Sequence, residues 1–267
     1  NSRDTVDGSL PSRRAIARTP RPWARHNAMS SRSENDRYRP DTDAGSPGFT
    51  PPAWRNHRNP TGLDTPASTV ALLRALQGAG YVTGELPADG DHLIAALVAG
   101  VTNRLDANDA RPAQQSLSLQ EYQAAFEQLI DPDSRAAVNA LWGPPEADPA
   151  LRQCRFMIAG LRLGQVFVGI QPARALATGA AQDYASYHDA ELVPPHGYLA
   201  FYFWLRDVFA IDAIVHVGKH GNLEWLPGKS VGLSEQCWPS AILGPLPTNY
   251  PFIVNDPGAG APSQRTT

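Results

Sequence analysis

Lysine, cysteine and long apolar runs are all scarce in this 267-residue chain, in which lysine occurs twice among 23 basic residues. Cys154 and Cys237 are the only cysteines and lack C-x-x-C spacing, so a reduced cytoplasmic protein is expected. No apolar run approaches the roughly 18 residues of a transmembrane helix, and no secretory signal pattern is visible. We therefore expect no membrane span.

A phosphate-binding loop is also missing, because no G-x-x-x-x-G-K-[ST] sequence occurs. We therefore do not expect this chain to bind ATP. The net charge of −3 gives no general attraction to nucleic acid or to an anionic membrane surface. No nucleic-acid partner is expected.

Residues 1–59 lack the apolar content of a folded domain. Residues 1–60 hold 11 arginines and 8 prolines but only 14 apolar residues. Such a segment cannot bury enough surface to offset the entropy of ordering it. We expect residues 1–59 to be disordered and dispensable; a functional basic arm is the less favoured alternative, because the charges are scattered.

Residues 60–148 show helix caps and helical periodicity. Asp64 and Pro66 precede an apolar stretch that Gly80 closes, which predicts a helix over 67–79. Three more helices are predicted from residue 91, over 119–130 and over 134–141, with a polar connector over 110–118.

Residues 149–258 alternate between strand and helix patterns. The predicted elements are strands over 156–163 and 165–170, a buried helix over 197–209, a strand over 211–217, a helix over 234–243 and a strand over 251–254. This order is typical of a parallel α/β sheet. The expected fold class is therefore α/β, a parallel-sheet region with a helical N-terminal half and a disordered N-terminal tail.

The segment 216–229, which directly follows a predicted strand, has the most chemically active composition. It contains two histidines, one glutamate, three glycines and both lysines of the protein. Polar residues at the end of a buried strand are typical of a ligand site in an α/β protein. Its glycines allow the backbone to turn sharply and to approach a ligand.

His216, His220 and Glu224 are spaced by four residues within this segment. Gly218 and Gly221 argue against a helix, so we place His216 at the strand end and the other two on a loop. Imidazole and carboxylate groups suit cobalt, iron, nickel or zinc, and also proton transfer near neutral pH. The alternative is a structural loop whose histidines bond to backbone carbonyls.

Aromatic and cationic residues near the segment suit a flat, acidic ligand. Four aromatic side chains could stack on a macrocycle or belong to the core: Trp225, Trp238, Tyr250 and Phe252. Five further candidates could contact a ligand or be ordinary surface and loop residues: Lys219, Lys229, Arg174, His188 and His196. Cys237 is expected to be a small buried residue.

Five separated blocks closely resemble the large subunit of aerobic cobaltochelatase (CobN) and, less closely, that of magnesium chelatase. The matching stretches are 62–68, 168–174, 187–189 with 192–201, 216–229 with 234–239, and 243–247 with 250–258. They occur in family order and cover about residues 60–258. The sequence over 218–229, which is Gly-Lys-His-Gly-Asn-Leu-Glu-Trp-Leu-Pro-Gly-Lys, resembles the cobaltochelatase branch of the family more than the magnesium chelatase branch.

The resemblance implies a subunit that binds a corrinoid tetrapyrrole and takes part in inserting cobalt, the substrate metal, into hydrogenobyrinic acid a,c-diamide in cobalamin biosynthesis. An AAA+ ATPase subunit and a second small chelatase subunit would use the ATP. The family's motif residues correspond to His216, His220 and Glu224 as catalytic and metal-holding groups. The expected tetrapyrrole-binding residues are Lys219, Asn222, Trp225, Lys229, Arg174, His188 and His196.

Family members are several times longer, so the chain resembles an internal fragment, which could be inactive alone. Residues 1–59, the loop 175–185 and the tail 259–267 depart from the family pattern, and shifted reading frames would explain both ends. Three alternatives remain open. They are magnesium-chelatase-like protoporphyrin binding in chlorophyll biosynthesis, a non-catalytic tetrapyrrole-binding or partner-docking module, and an independent metalloenzyme.

Overall fold

A computed structural model describes residues 27–31, 64–103, 111–174, 189, 191–218, 223, 226–228 and 237–251. Within these residues, helices and strands form two sheets with helices packed on both faces of the larger sheet. The prediction of an α/β fold is confirmed. No helix in the described part is long and apolar enough to cross a membrane.

Four helices in the first half begin at the side-chain caps that the sequence contains. They are α1 (Thr65–Gly78), α2 (Gly90–Ala99), α3 (Leu119–Leu129) and α4 (Pro132–Trp142), capped by Asp64, Asp89, Ser118 and Asp131. Each cap oxygen accepts a backbone N–H from the first turn, which satisfies a donor that has no partner within the helix. All four helix predictions are confirmed, with small shifts at the ends.

The smaller sheet contains two strands that the sequence did not predict. Strand β2 (Gln115–Ser118) replaces the end of the expected polar connector, and β3 (Leu151–Arg152) is also new. Both pair antiparallel with β4 (Arg155–Ile158), so the order is β2-β4-β3. Short strands with mixed burial lack the alternation that marks a strand in sequence.

The single strand predicted over 156–163 is wrong, because the chain divides it between two sheets. Strand β4 ends at Ile158, and β5 (Gly160–Leu163) starts the larger sheet. Gly160 has φ of +154°, and a Cβ there would overlap the Phe167 ring. The backbone therefore changes sheets at a position that favours glycine.

The larger sheet has the order β5-β6-β1-β7-β8. Its other strands are β6 (Val166–Ile170), β1 (Asn27–Ser31), β7 (Ala213–Val217) and β8 (Thr248–Asn249). Strands β6, β1, β7 and β8 run parallel, whereas β5 is antiparallel to β6. The predicted parallel sheet is confirmed, and β8 is a strand that the sequence did not predict. Of the strand predicted over 251–254, Pro251 is not in a strand and residues 252–254 lie outside the described residues.

Strand β1 differs from the expectation of a disordered N-terminal segment. Its five residues occupy the centre of the larger sheet, between β6 and β7. Both edges of these five residues pair with other strands, which the expectation for residues 1–59 did not include. Residues 1–26 and 32–59 lie outside the described residues, so the proposed domain boundary remains a prediction.

Two helices in the second half of the chain pack on one face of the larger sheet. The predicted buried helix is confirmed as α5 (His196–Phe203), which continues into a π-helical turn at Trp204–Val208. The last helix is α6 (Trp238–Leu243), and Cys237 just before it is buried as expected. Residues 234–236 of the predicted helix lie outside the described residues.

Side-chain alternation on β6 separates the two faces of the sheet. Val166 and Val168 pack with the apolar faces of α1 and α2, whereas Phe167 packs on the opposite side with α5 and α6. Strand β7 follows the same pattern, with Val217 on the first side and Ile214 on the second. Successive side chains of a strand point to opposite faces, so one strand serves both cores.

Gly169 allows α5 to pack closely on β6. A Cβ at this position would lie 2.7 Å from Cζ of Phe201 and 2.9 Å from Cε1 of Phe167. Two buried aromatic rings therefore occupy the space that any larger residue would need.

We predict that Gly169→Ala lowers the free energy of unfolding by about 1–3 kcal/mol, because an added methyl overpacks the interface. Gly78→Ala is the control, since a Cβ at the exposed end of α1 meets nothing within 4 Å. It should be neutral or stabilising by up to about 1 kcal/mol, because alanine favours the helix. Urea unfolding followed by circular dichroism measures both; a neutral Gly169→Ala would contradict the packing argument.

Candidate functional site

The carboxyl ends of the parallel strands lie at one edge of the larger sheet. The register places Gly169 of β6 and His216 of β7 opposite the same residue of β1, Ser30. The chain leaves β6 at Ile170 and β7 at Val217, one residue further along this edge. Loops after parallel strands meet at such an edge, where α/β proteins bind ligands.

His216 lies at this edge as predicted, on the penultimate residue of β7, and is 4% exposed. Its imidazole packs against the Tyr250 ring, with centroids 4.8 Å apart and planes inclined by 34°. Tyr250 directly follows β8, which pairs in parallel with β7. Sheet register and ring contact together place the imidazole beside Tyr250 at this edge.

Apolar residues anchor the segment that follows His216. Leu223 and Leu226 are buried, and the Leu226 N–H donates to the Leu223 carbonyl at 3.2 Å. Gly228 packs on Cys237, since a Cβ there would lie 3.0 Å from the Cys237 Sγ. The Trp238 N–H also donates to the Pro227 carbonyl at 3.1 Å, which fixes the segment against α6.

Most of the residues predicted for the site lie outside the described residues. These are His188, Lys219, His220, Asn222, Glu224, Trp225 and Lys229. Of the proposed metal-holding set of His216, His220 and Glu224, the structure therefore describes only His216. Within the described part, no group of three or more His, Cys, Asp or Glu side chains could hold a metal ion.

Arg174 follows β6 and is fully buried. One terminal nitrogen of its guanidinium donates to the carbonyls of Asp189 and Leu192, at 2.7 and 3.3 Å. These bonds connect the end of β6 to the chain just before α5. Arg174 thus has a structural contact that the sequence did not predict, and its pairing with a ligand carboxylate stays a prediction.

His196 is also fully buried, and protein groups engage both of its ring nitrogens. Nδ1 lies 2.6 Å from the Tyr122 hydroxyl oxygen, and Nε2 lies 3.0 Å from the Gly143 carbonyl oxygen. Because a carbonyl only accepts, Nε2 carries the proton and Nδ1 accepts from Tyr122. This geometry supports the alternative of a satisfied structural histidine and offers no ring nitrogen to a tetrapyrrole.

Burial controls the protonation of this pair. It lowers the pKa of His196 below its usual 6.5, which keeps the imidazole neutral at pH 7. It raises the pKa of Tyr122 well above its usual 10, so the phenol remains a donor. Both groups therefore stay in the protonation states that their hydrogen bonds require.

Asp148 caps α5 from a distant part of the chain. Its Oδ2 accepts from the Gly197 N–H at 2.9 Å, and its Oδ1 accepts from the Ala150 N–H at 2.8 Å. Burial raises the pKa of Asp148, although these two N–H donors act in the opposite direction. Pro195, the local cap residue, makes no side-chain cap bond, so a distant carboxylate takes that role.

Three contributors to this region are not predicted from the sequence: Tyr122, Asp148 and the ring contact of Tyr250. Only the distant cap from Asp148 has a local signal in the sequence, which is Pro195. A proline at the cap position has no side-chain acceptor, so the first N–H groups of the helix need an acceptor from elsewhere. Trp238, considered as a stacking residue, is 4% exposed and belongs to the core.

Acid should destabilise the fold through His196. Because its pKa is lower in the folded state, the unfolded chain binds a proton that the folded chain does not. The stabilising contribution is complete above the unfolded pKa near 6.5 and is lost as pH falls toward the folded pKa. Urea unfolding should show a loss of up to about 1.4 kcal/mol per pH unit below that point.

Variants separate the contribution of His196 from that of Asp148. The pKa of Asp148 is raised in the folded state, so its protonation at lower pH increases stability, whereas that of His196 decreases it. His196→Gln should flatten the pH dependence. His92→Gln is the contrasting variant: the bond to Asp89 raises the pKa of this exposed histidine, so its loss should make the fall in stability toward acid pH steeper, the opposite of His196→Gln. An unchanged slope in His196→Gln would show that His196 is not the titrating group.

Comparisons with known proteins identify the family of the chain. The family model described as CobN/Magnesium Chelatase matches residues 50–266. The aerobic cobaltochelatase subunit CobN of Pseudomonas aeruginosa is 58% identical over 209 residues, which are 78% of this chain and 16% of that protein. A magnesium-chelatase subunit of Chlorobaculum parvum is 31% identical over 205 residues, 76% of this chain and 15% of that protein.

A solved structure agrees with the sequence comparisons. The catalytic subunit of cobaltochelatase from Mycobacterium tuberculosis has a TM-score of 0.63 and 41% identity, over 76% of this chain and 17% of that chain. The family match extends beyond the expected limits of 60 and 258 at both ends. The chain thus spans 15% to 17% of the length of these relatives. It belongs to the CobN/magnesium chelatase family and corresponds to a fragment of a CobN-type large subunit.

Proposed function

We propose that this chain is part of the tetrapyrrole-binding large subunit of an ATP-dependent cobaltochelatase. The observation that carries the proposal is the position of His216, which is held at the carboxyl edge of the sheet and begins the segment 216–229. The substrate ring would be hydrogenobyrinic acid a,c-diamide, and cobalt would be the substrate metal. The reaction would belong to cobalamin biosynthesis.

The residues of this segment suit the chemistry of metal insertion. When a divalent metal enters the ring, two ring N–H protons leave, and a nearby base must accept them. Imidazole and carboxylate groups of His216, His220 and Glu224 can accept these protons and pass them to solvent. The same groups can hold the incoming cobalt before the ring takes it, since imidazole and carboxylate are ligands for such metals.

The remaining polar residues of the segment would bind the ring. Lys219 and Lys229 would pair with its carboxylates, Asn222 would donate or accept hydrogen bonds, and Trp225 would stack on its face. Arg174 and His196 would support the site through the chain contacts described above. His188 remains a candidate ring contact.

Sequence identity favours cobalt over magnesium. The cobaltochelatase relative from Pseudomonas aeruginosa is 58% identical, against 31% for the magnesium-chelatase relative from Chlorobaculum parvum. A protoporphyrin substrate is therefore the less favoured alternative. An AAA+ ATPase subunit and a second small subunit would supply the ATP-driven step in the cytoplasm.

We predict that His220→Ala removes metal insertion more than ring binding. Macrocycle burial depends mainly on apolar and stacking contacts, which this change leaves in place. In the complete large subunit with both partner subunits, cobalt insertion should fall at least about 100-fold, while ring affinity changes only a few-fold. His216→Ala and Glu224→Gln should behave similarly if the three groups act as one site.

His92→Ala, at the exposed histidine of α2, is the matched control and should insert cobalt at the normal rate. Insertion is followed by the absorbance change of the ring, and affinity by titration without cobalt. Normal insertion by His220→Ala would show that the loop is structural. Ring binding without any insertion, in the unmodified protein with both partners present, would favour a non-catalytic binding module.

Trp225 should report ring binding through fluorescence, because tetrapyrroles absorb where tryptophan emits. Adding the ring should quench the emission saturably, and Trp225→Phe should remove much of the quenching by direct stacking. Trp238→Phe is the control, since Trp238 lies in the core and should change the quenching less. Equal quenching in wild type and Trp225→Phe would place the ring elsewhere.

A further inference from the structure

We propose that the larger sheet contains an acceptor slot for one parallel strand, between β6 and β7, and that Asn27–Ser31 is its occupant. The segment therefore acts as an integral strand of the chelatase-family region rather than as a dispensable arm. Three independent observations carry this proposal: the register of β1, the burial of the slot, and the composition of the N-terminal segment.

The register shows that β1 separates two strands that do not pair with each other. Each of its five residues pairs with β6 on one side and with β7 on the other; Ala28, for example, lies opposite both Phe167 and Ile214. Neighbouring strands lie about 4.8 Å apart, so β6 and β7 are separated by roughly twice that distance. Without β1, a gap one strand wide would remain.

The gap would be buried on both sides. Val166, Val168 and Val217 border it on the face covered by α1 and α2, whereas Phe167 and Ile214 border it on the opposite face; all five are 5% exposed or less. The inward edges of β6 and β7 would then carry backbone N–H and C=O groups without partners or water. Buried groups of this kind are strongly destabilising, so the slot must be filled.

The slot and its occupant come from different parts of the chain. The family match over 50–266 includes β6 and β7, whereas β1 precedes it. Residues 32–165 connect β1 to its parallel neighbour β6, and this length far exceeds the dozen or so residues that a crossover between parallel strands requires. The connection is therefore long enough for β1 to enter the sheet of its own chain.

Composition explains why this segment fits the slot. Residues 26–31 form the longest stretch of 1–59 without Arg, Asp, Glu or Pro. A charged residue would be desolvated at the centre of the sheet, and a proline would remove a backbone donor there. Arg25 and Arg32 lie just outside this stretch, so the uncharged run is only slightly longer than the strand.

Hydrogen exchange in the wild-type chain tests the proposal without any substitution. The amides of Ala28–Ser31 should be protected to a degree similar to those of β6 and β7, since all three strands share one hydrogen-bonded unit. Exchange of these amides at the rate of an unstructured peptide would overturn the proposal.

Met29→Pro tests the dependence of the flanking strands. Proline removes a donor and does not fit a central strand, so protection of β6 and β7 should fall by at least about 100-fold. Met29→Val is the matched control, because it keeps the N–H and favours extended backbone; its protection should stay within about threefold of wild type. Unchanged protection of β6 and β7 in Met29→Pro would overturn the proposal.

Addition of a peptide spanning residues 24–34 distinguishes loss of the strand from general misfolding of Met29→Pro. The peptide should restore the protection of β6 and β7, whereas the same peptide with proline at position 29 should not. If neither peptide restored the protection of β6 and β7, the proposal of an acceptor slot would be overturned. None of these measurements uses a tetrapyrrole or cobalt, so their outcome is independent of the proposed chelatase function.

Discussion

Parallel backbone pairing through β1 holds β6 and β7 at a fixed spacing and in a common direction, and the positions of both strand ends follow from it. His216 and Arg174 lie at or just beyond these ends. If the register shifted by one residue, the side chains of a strand would exchange faces, and His216 would exchange places with a core valine. The geometry of the candidate site is therefore a property of the sheet.

The helix between β6 and β7 maintains this arrangement from one side. Its first turn is held by Asp148 and by the buried pair of Tyr122 and His196, which come from three different parts of the chain. Further along, Phe201 packs directly against Gly169 of β6. Polar bonds fix the start of α5 and close packing fixes its body, so both its position and its rotation are defined. Burial of these polar groups is tolerated because each has a partner.

His196 and His216 occupy different environments in one fold. His196 lies inside the core, with both ring nitrogens bound by protein and its pKa lowered by burial. His216 lies at the edge of the sheet, against an aromatic ring and directly before the glycine-rich segment. Arg174 resembles the first case, because its guanidinium donates to backbone carbonyls. The partners of a buried side chain, which a sequence does not state, show that His196 and Arg174 have structural contacts.

Local chemistry in the sequence determined the helices of the first half, the parallel α/β character and the placement of His216 at a strand end. Helix caps and apolar periodicity act over a few residues, so they are readable from sequence alone. Tertiary structure decided the division of residues 156–163 between two sheets, the distant cap from Asp148, the role of His196 and the entry of Asn27–Ser31 into the sheet. Each of these depends on contacts between residues far apart in the chain. Weak strand formers such as Asn, Ala and Ser become a central strand only because β6 and β7 leave a buried gap that extended backbone can fill.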